Sequence, residues 1–249
     1  MNIKETTILI TGGGKGIGNF MAVSFSKMAA KVIVIDNDKL SLDAIDKTLG
    51  ISSYCCDLTD SDEVAKTISE IYTDCGNVNV LINNAGFIHS EPLFNMLKRN
   101  DPKHSIENWK KTIDVNLNAV FYTTVNVVEK MYAKRIKNGV IINISSISAQ
   151  GNSGQSAYSA AKAGVEAMTK TWSKELGMFK IRCVAIAPGF INTESTRNSL
   201  SENVLSKWEQ AIALKRLGNP EEIVSGVKFI IENDYFNGKI LSIDGGLSI

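Results

Sequence analysis

A tyrosine and a lysine four residues apart, Tyr158 and Lys162, follow a serine, Ser145, that lies thirteen residues before the tyrosine. Residues at i and i+4 share one helix face, so a helix over 157–178 puts the phenol and the ammonium in one pocket. A free tyrosine titrates at about 10 and moves protons poorly at neutral pH, whereas a nearby cation favours the phenolate. Ser145 closes the apolar, strand-like run 140–145, from where its hydroxyl can bond the oxygen of a carbonyl or alcohol held against Tyr158. Together these residue types transfer a proton to or from an oxygen. Standing alone, Tyr-x-x-x-Lys is read as a solvated helix pair, so the rest of the chain has to carry the inference.

The elements that must position this site alternate along the whole chain. Short β-branched runs at 7–11, 31–36, 53–56, 80–83, 140–145, 181–187 and 239–243 read as strands, and their unbroken apolar character implies burial on both faces. Amphipathic stretches at 16–29, 40–49, 61–74, 105–135, 157–178, 203–213 and 220–232 read as helices. Asn219 before Pro220, with Glu221 and Glu222 behind, is a helix start. Strand–helix alternation predicts an α/β fold, one doubly wound parallel sheet with helices on both faces. No linker or repeat interrupts it, so 1–249 is expected to form a single domain. Segments 87–104 and 189–202 read as mobile loops, the second as a candidate lid.

At a formal net charge of +1, with 44% apolar and 21% charged residues, nothing points to nucleic acid or to an anionic membrane surface. The basic groups Lys130, Lys134, Arg135, Lys137 and Lys98, Arg99, Lys103 lack interleaved aromatics and read as solvated faces. Cys55, Cys56, Cys75 and Cys183 form no C-x-x-C pair, and His89 and His104 are too few for a zinc site, so no metal is expected. The N-terminus lacks the apolar stretch of a signal peptide and no run is long enough to span a bilayer, which predicts a cytosolic protein.

The first strand runs into Thr11-Gly-Gly-Gly-Lys-Gly-Ile-Gly18 and then a helix. A glycine-rich turn at a helix N-terminus brings backbone N–H groups to a pyrophosphate, which the helix dipole favours. Its spacing is Gly12-x-x-x-Gly16-x-Gly18, and the overlapping Gly14-x-Gly16-x-Gly18 would also suit a methyltransferase. Asp36 ends the second strand about 20 residues further on, where an acid holds both ribose hydroxyls of NAD and repels a 2′-phosphate. Lys15 pulls toward NADP; Asp36 is weighed more heavily, so NAD is expected, with NADP the alternative. The other reading of Asp36 is a turn or helix cap, which Asn37 and Asp38 could equally provide.

Taken together, the turn from Thr11, Asn83-Asn-Ala-Gly86, Asp114-Val-Asn-Leu117, Ser145, Tyr158-x-x-x-Lys162, Pro188-Gly189 and Asp244-Gly-Gly246 resemble the short-chain dehydrogenase/reductase family over almost the entire chain. The resemblance implies a sheet ordered 3-2-1-4-5-6-7. It makes Tyr158 the general acid or base, and gives Lys162 the tasks of lowering its pKa and holding the nicotinamide ribose. Ser145 orients the substrate oxygen, with Ser146 the runner-up at a spacing one residue short of the family's, and Asn116 holds a water. For the cofactor it implies Gly12, Lys15, Gly16, Ile17 and Gly18 in the turn, Asp57 and Leu58 at the adenine, and Asn84, Ala85 and Gly86 alongside. Pro188, Gly189, Ile191 and Thr193 fall at the carboxamide end, and Asn83 is left to brace the sheet. Asn79, Ser148 and Val184 depart from the family pattern without touching the proton-transfer residues, and the segment between Gly86 and Trp109 is longer than in many relatives.

Within the family, Gln155, the run after Ser159, and 214–223 are most similar to 3-oxoacyl-[acyl-carrier-protein] reductases, which implies a small-molecule or thioester substrate, an acyl carrier protein as partner, and a homotetramer. Helices from Ser105 and Ala157 would pair across one interface. An acidic carrier needs cations near the mouth, to which Arg135 and Lys137 are contributors, but Phe179 stands where those reductases tend to be basic. Phe179 and Asp36 therefore raise an NAD-linked 3-hydroxyacyl, sugar, polyol or steroid dehydrogenase as the nearest alternative. A non-catalytic nucleotide sensor is the remaining reading, and its mark, loss of the tyrosine, lysine or serine, is missing.

Overall fold

Runs such as Thr7–Thr11 and Lys31–Asp36 are rich in Ile and Val, whose branched side chains suit a pleated surface buried on both sides. In the computed structural model, which describes residues 1–193, 196–197 and 202–247, they form β1 (Thr7–Thr11) and β2 (Lys31–Asp36). The other strands are β3 (Ser52–Cys55), β4 (Val80–Asn83), β5 (Gly139–Ile144), β6 (Ile181–Pro188) and β7 (Ile240–Ile243). All pair in parallel in one sheet ordered β3-β2-β1-β4-β5-β6-β7, as expected. The order reverses between β1 and β4, and in such a sheet a crevice for ligands opens beyond the carboxyl ends of the strands there.

Alternate residues of each strand feed opposite faces. On β1, Ile8 and Ile10 pack with Met21 and Phe25 of α1 (Gly16–Lys27) and with residues of the last helix, Pro220–Glu232. Leu9 packs on the other side with Ile68 and Ile71 of α3 (Ser61–Asp74) and Val127 and Met131 of α5 (Ala119–Ala133). α2 (Lys39–Asp43), α4 (Ile106–Ile113), α6 (Ser156–Glu175), α7 (Glu202–Ala211) and α8 (Pro220–Glu232) complete the helices used below. The expected start of α8 is present: Glu222 reaches back to accept from the Asn219 N–H at 2.7 Å.

Three expectations are corrected. The helix expected over 40–49 stops at Asp43, because Asp46 takes the Thr48 N–H and hydroxyl (2.9 and 2.7 Å) and starts a separate 3-10 turn, Lys47–Leu49. The helix expected over 105–135 is two α-helices joined by a π-helical stretch, Asp114–Asn118. Segment 87–104, expected to be a mobile loop, is tied down by the buried Glu91 carboxylate, which receives Lys98 (2.9 Å), Asn108 (3.1 Å) and His89 (3.2 Å). Those partners hold Glu91 well below the usual carboxylate range, Lys98 first. Much of the lid expected over 189–202 lies outside the described residues.

Candidate active site

The glycine turn between β1 and α1 is shaped for close backbone approach. Gly12 and Gly16 take positive φ of 63° and 54°, and a Cβ on Gly18 would lie 2.0 Å from the Gly12 carbonyl oxygen. Asn84 braces the turn, its side-chain amide donating to the carbonyls of Thr11 and Gly12 at 3.1 Å each, while the Asn84 and Ala85 N–H groups donate to the Thr11 hydroxyl. At the start of α1, Lys15 makes no side-chain cap and the first turn carries no acid, so the N–H groups there, including those near Ile17, stay available to an anion.

At the end of β2, Asp36 accepts from the Gly14 N–H at 2.9 Å and the Asp38 N–H at 3.0 Å. This joins the carboxylate to the turn and leaves lone pairs on both oxygens for further donors. Lys15 forms an ion pair with Asp38, which holds the Asp38 carboxyl down at about 2 and raises Lys15. Beyond β3, Asp57 holds the N–H and hydroxyl of Thr59 (2.9 and 2.8 Å), and Leu58 is buried. Asn37, Asp57, Thr59, Lys110, Lys111 and Asp114 line a pocket of about 540 Å³ there. After β6, the Gly189 N–H donates to the Ile243 carbonyl at 2.9 Å, and a Cβ on Gly189 would meet Asp244 Cα at 2.8 Å, so Pro188-Gly189 lies against the last turn. Ile191 is buried and bridges to Gly218, while the Thr193 hydroxyl sits 3.0 Å from that of Thr196.

Tyr158 and Lys162 occupy adjacent turns of α6 and both are buried. Lys162 Nζ donates to the Ile144 carbonyl at 2.8 Å and lies 5.7 Å from the Tyr158 ring centroid. Burial pushes the ammonium down to about 8, and burial pushes the phenol up, opposed by a hydrogen bond with Ser146. In this arrangement burial keeps the phenol in its protonated form.

Lys162 carries a stability prediction. The folded protein binds this proton less tightly than the unfolded chain, so between pH 8 and the ordinary lysine value near 10.5 the unfolded state holds more protons and stability rises with pH. Relative to Lys162→Met, wild type should gain up to about 3 kcal/mol across that window, at about 1.4 kcal/mol per unit of difference. Urea unfolding of both proteins at fixed concentration checks this; parallel pH profiles would contradict the burial of a titrating lysine.

The two neighbouring serines are placed differently. Side chains alternate along an extended chain, so Ser145 and Ser146 face different ways. Ser145 is buried with its hydroxyl on Glu166 Oε1 at 3.0 Å, and Glu166 stands two turns of α6 beyond Tyr158. Ser146, extended at φ −164° and half-buried, is the serine whose hydroxyl opposes the rise of the Tyr158 pKa. Between them and Tyr158 the chain folds into a 3-10 turn, Ile147–Gln150, whose path sets the distance from each serine to the phenol.

Behind Lys162, Asn116 is fully buried in the π-helical stretch. Its amide donates to the carbonyls of Phe87 and Thr112, both at 3.0 Å, while its Oδ1 finds no hydrogen-bond partner among the described residues. A Cβ on Gly86 would lie 2.6 Å from that oxygen and 3.6 Å from Lys162 Nζ. The bare Gly86 thus leaves a gap bordered by an unpartnered acceptor and an ammonium, a fit for an ordered water. Asn83, as expected, braces the sheet, donating to Thr124 (2.9 Å) and Asn143 (2.8 Å). The uncapped α1, the tight glycines and the Asp36 carboxylate fit a dinucleotide. No cluster among the described residues fits a metal ion, and no helix among them is long and apolar enough to cross a membrane. Glu166 escaped the sequence reading, although Tyr158, Lys162 and Glu166 are spaced i, i+4 and i+8.

Comparison with known proteins agrees with this geometry. A family model described as enoyl-(acyl carrier protein) reductase matches residues 12–248. The 3-oxoacyl-[acyl-carrier-protein] reductase FabG of Thermotoga maritima is 37% identical over the whole of both chains, and that of Chlamydia muridarum is 35% identical over 96% of each. A crystal structure of a short chain dehydrogenase from Bacillus anthracis superposes with a TM-score of 0.85 at 32% identity, covering 98% of this chain and 97% of the other.

Proposed function

This chain belongs to the short-chain dehydrogenase/reductase family, and from that premise we propose that it interconverts a 3-oxoacyl thioester and the 3-hydroxyacyl thioester with a nicotinamide cofactor, in one domain spanning 1–249. As a member it is an NAD(P)-dependent oxidoreductase acting on carbonyl and CH–OH groups. The observation that carries the reading is the convergence of two hydroxyls, Ser146 and Tyr158, backed by Lys162 and the open acceptor of Asn116. Two donors on one oxygen suit a carbonyl, where negative charge develops on oxygen.

A bound nicotinamide dinucleotide supplies or accepts the hydride at the carbonyl carbon. The turn residues Gly12, Lys15, Gly16, Ile17 and Gly18 hold its pyrophosphate, Asp36 its ribose, and Asp57 and Leu58 its adenine. Asn84, Ala85 and Gly86 lie alongside, and Pro188, Gly189, Ile191 and Thr193 flank the far end. Ser146 orients the substrate oxygen, and Tyr158 gives it a proton in reduction or takes one in oxidation. Lys162 braces the nicotinamide ribose and, with a water on Asn116, reprotonates the phenol.

NAD is favoured. Asp36 presents its carboxylate on the turn itself, and the Lys15 charge that would attract a 2′-phosphate is already paired with Asp38. Asp36→Ala should narrow the kcat/KM preference for NADH over NADPH by about tenfold or more, since it removes a like charge facing the phosphate. An unchanged ratio would take Asp36 out of the ribose site.

Phe179 is partly exposed and packs edge-on with Tyr132 at 5.3 Å, so the position that is basic in carrier-protein reductases is an aromatic surface here. That favours, as a second reading, an NAD-linked 3-hydroxyacyl dehydrogenase taking a small thioester. The apolar side chains Phe121, Val125 and Tyr132, exposed on α5, support a homotetramer with this face paired, and the family's cytosolic setting is adopted with it. The test is oxidation of NADH and NADPH at 340 nm with a short 3-oxoacyl thioester on coenzyme A and on an acyl carrier protein. Turnover supports the thioester reading and the cofactor and carrier ratios choose its form; inertness of folded, NADH-binding protein with both carriers rejects it.

A further inference from the structure

The steps above make no use of two groups beside the site, the Ser145 hydroxyl and the Glu166 carboxylate. Ser145 is 3% exposed and donates to Glu166 Oε1 at 3.0 Å, with the Lys162 carbonyl oxygen 3.5 Å away. Glu166 follows Lys162 by one turn on the same face of α6. Ile144, directly before Ser145, accepts the Lys162 ammonium at 2.8 Å. Its carbonyl lies one residue past the last β4–β5 register pair, Asn83↔Asn143, while on the other side the Ser145 N–H is still held by Ile186 at 2.7 Å. The end of β5 is thus fixed toward β6 but needs another anchor toward α6.

We propose that Ser145 and Glu166 are a positioning pair that fastens the end of β5 to α6 and so sets the place of the Lys162 ammonium beneath Tyr158. The fastening is a hydroxyl-to-carboxylate bond, stronger than a neutral one. It acts through Ile144 and Lys162 rather than on substrate: Glu166 is eight residues from Tyr158, about 12 Å along the helix. The same bond occupies the hydroxyl that residue counting would give to the substrate. The proposal rests on the roles given above to Tyr158 and Lys162.

The test compares Ser145→Ala, Ser145→Thr, Glu166→Ala, Glu166→Gln and the double alanine variant with wild type, with Tyr158→Phe as reference. Turnover of the thioester is read against pH, and Lys162 is titrated by NMR in lysine-labelled protein. Ser145→Ala and Glu166→Ala should each lower kcat about tenfold with KM changed less than about threefold, and the double variant should fall no further, as for one shared contact. Ser145→Thr and Glu166→Gln, which keep a hydroxyl and an accepting oxygen, should retain most activity. In Ser145→Ala, which changes no charge, the Lys162 midpoint should rise toward the solvated lysine value as water reaches it. Wild-type kcat and an unmoved Lys162 titration in the alanine variants would overturn the proposal. So would a loss in Ser145→Ala as deep as that in Tyr158→Phe, which would make Ser145 a substrate contact. Full activity in Tyr158→Phe would instead remove the proton-transfer reading, and the Lys162 titration would still decide the pair.

Discussion

Tyr158→Phe should lower kcat by about a thousandfold or more while NADH binding stays within about threefold, in the range expected when a positioned proton donor is removed. The ring is buried, so phenylalanine keeps its packing and α6 keeps its course. The glycine turn and Asp36, which would hold the cofactor, make no contact through the lost hydroxyl. What disappears is the buried hydroxyl proposed to move the proton, whose pKa is raised by burial, a rise that Ser146 opposes. The comparison is single-turnover kinetics against nucleotide titration. Loss of both would point to a folding defect, and retention of kcat within tenfold would take Tyr158 out of the proton-transfer role.

Ser146→Ala should lower kcat by about a hundredfold or more, the usual effect of deleting one donor to a developing oxyanion. Ser145→Ala, one residue away, should cost much less, because its hydroxyl is spent on Glu166. Steady-state kinetics of the two variants side by side, with melting temperatures to monitor the fold, separates the assignments. If Ser145→Ala proves the deeper loss, the thirteen-residue spacing is the better guide and the alternation of the β5 end is not what places the hydroxyl.

The strands were legible because parallel strands buried on both faces are nearly continuous runs of Ile and Val: β1, β2 and β4 fall where the runs are. The glycine turn was equally legible, since Gly12 and Gly18 answer to backbone sterics that no other residue satisfies. The break at Asp114–Asn118 left no such trace. It arises where the Asn116 side-chain amide donates to the Thr112 carbonyl, which in a regular helix would accept from the backbone N–H of residue 116, and a long-range contact to Phe87 decides that choice. Glu91 was hidden for the same reason, its partners being gathered from residues 89, 98 and 108. The serine was half-legible: residue types called for a hydroxyl near Tyr158, and the path of the turn after β5, which favours Ser146 in the proposed reading, left no mark in the spacing. For Tyr158 and Lys162 the spacing reports nearness but not the burial that the two share, which raises one pKa and lowers the other.

The central claim is hydride transfer at a carbonyl carbon beside Tyr158, and the most direct measurement follows the hydride itself. NADH deuterated at C4, prepared in both faces, is incubated with the protein and a 3-oxoacyl thioester, and the product is weighed by mass spectrometry. One face should deliver deuterium to C3 of a 3-hydroxyacyl thioester, and Tyr158→Phe should suppress the transfer. A folded, NADH-binding protein that leaves both labels on the nicotinamide would contradict the account.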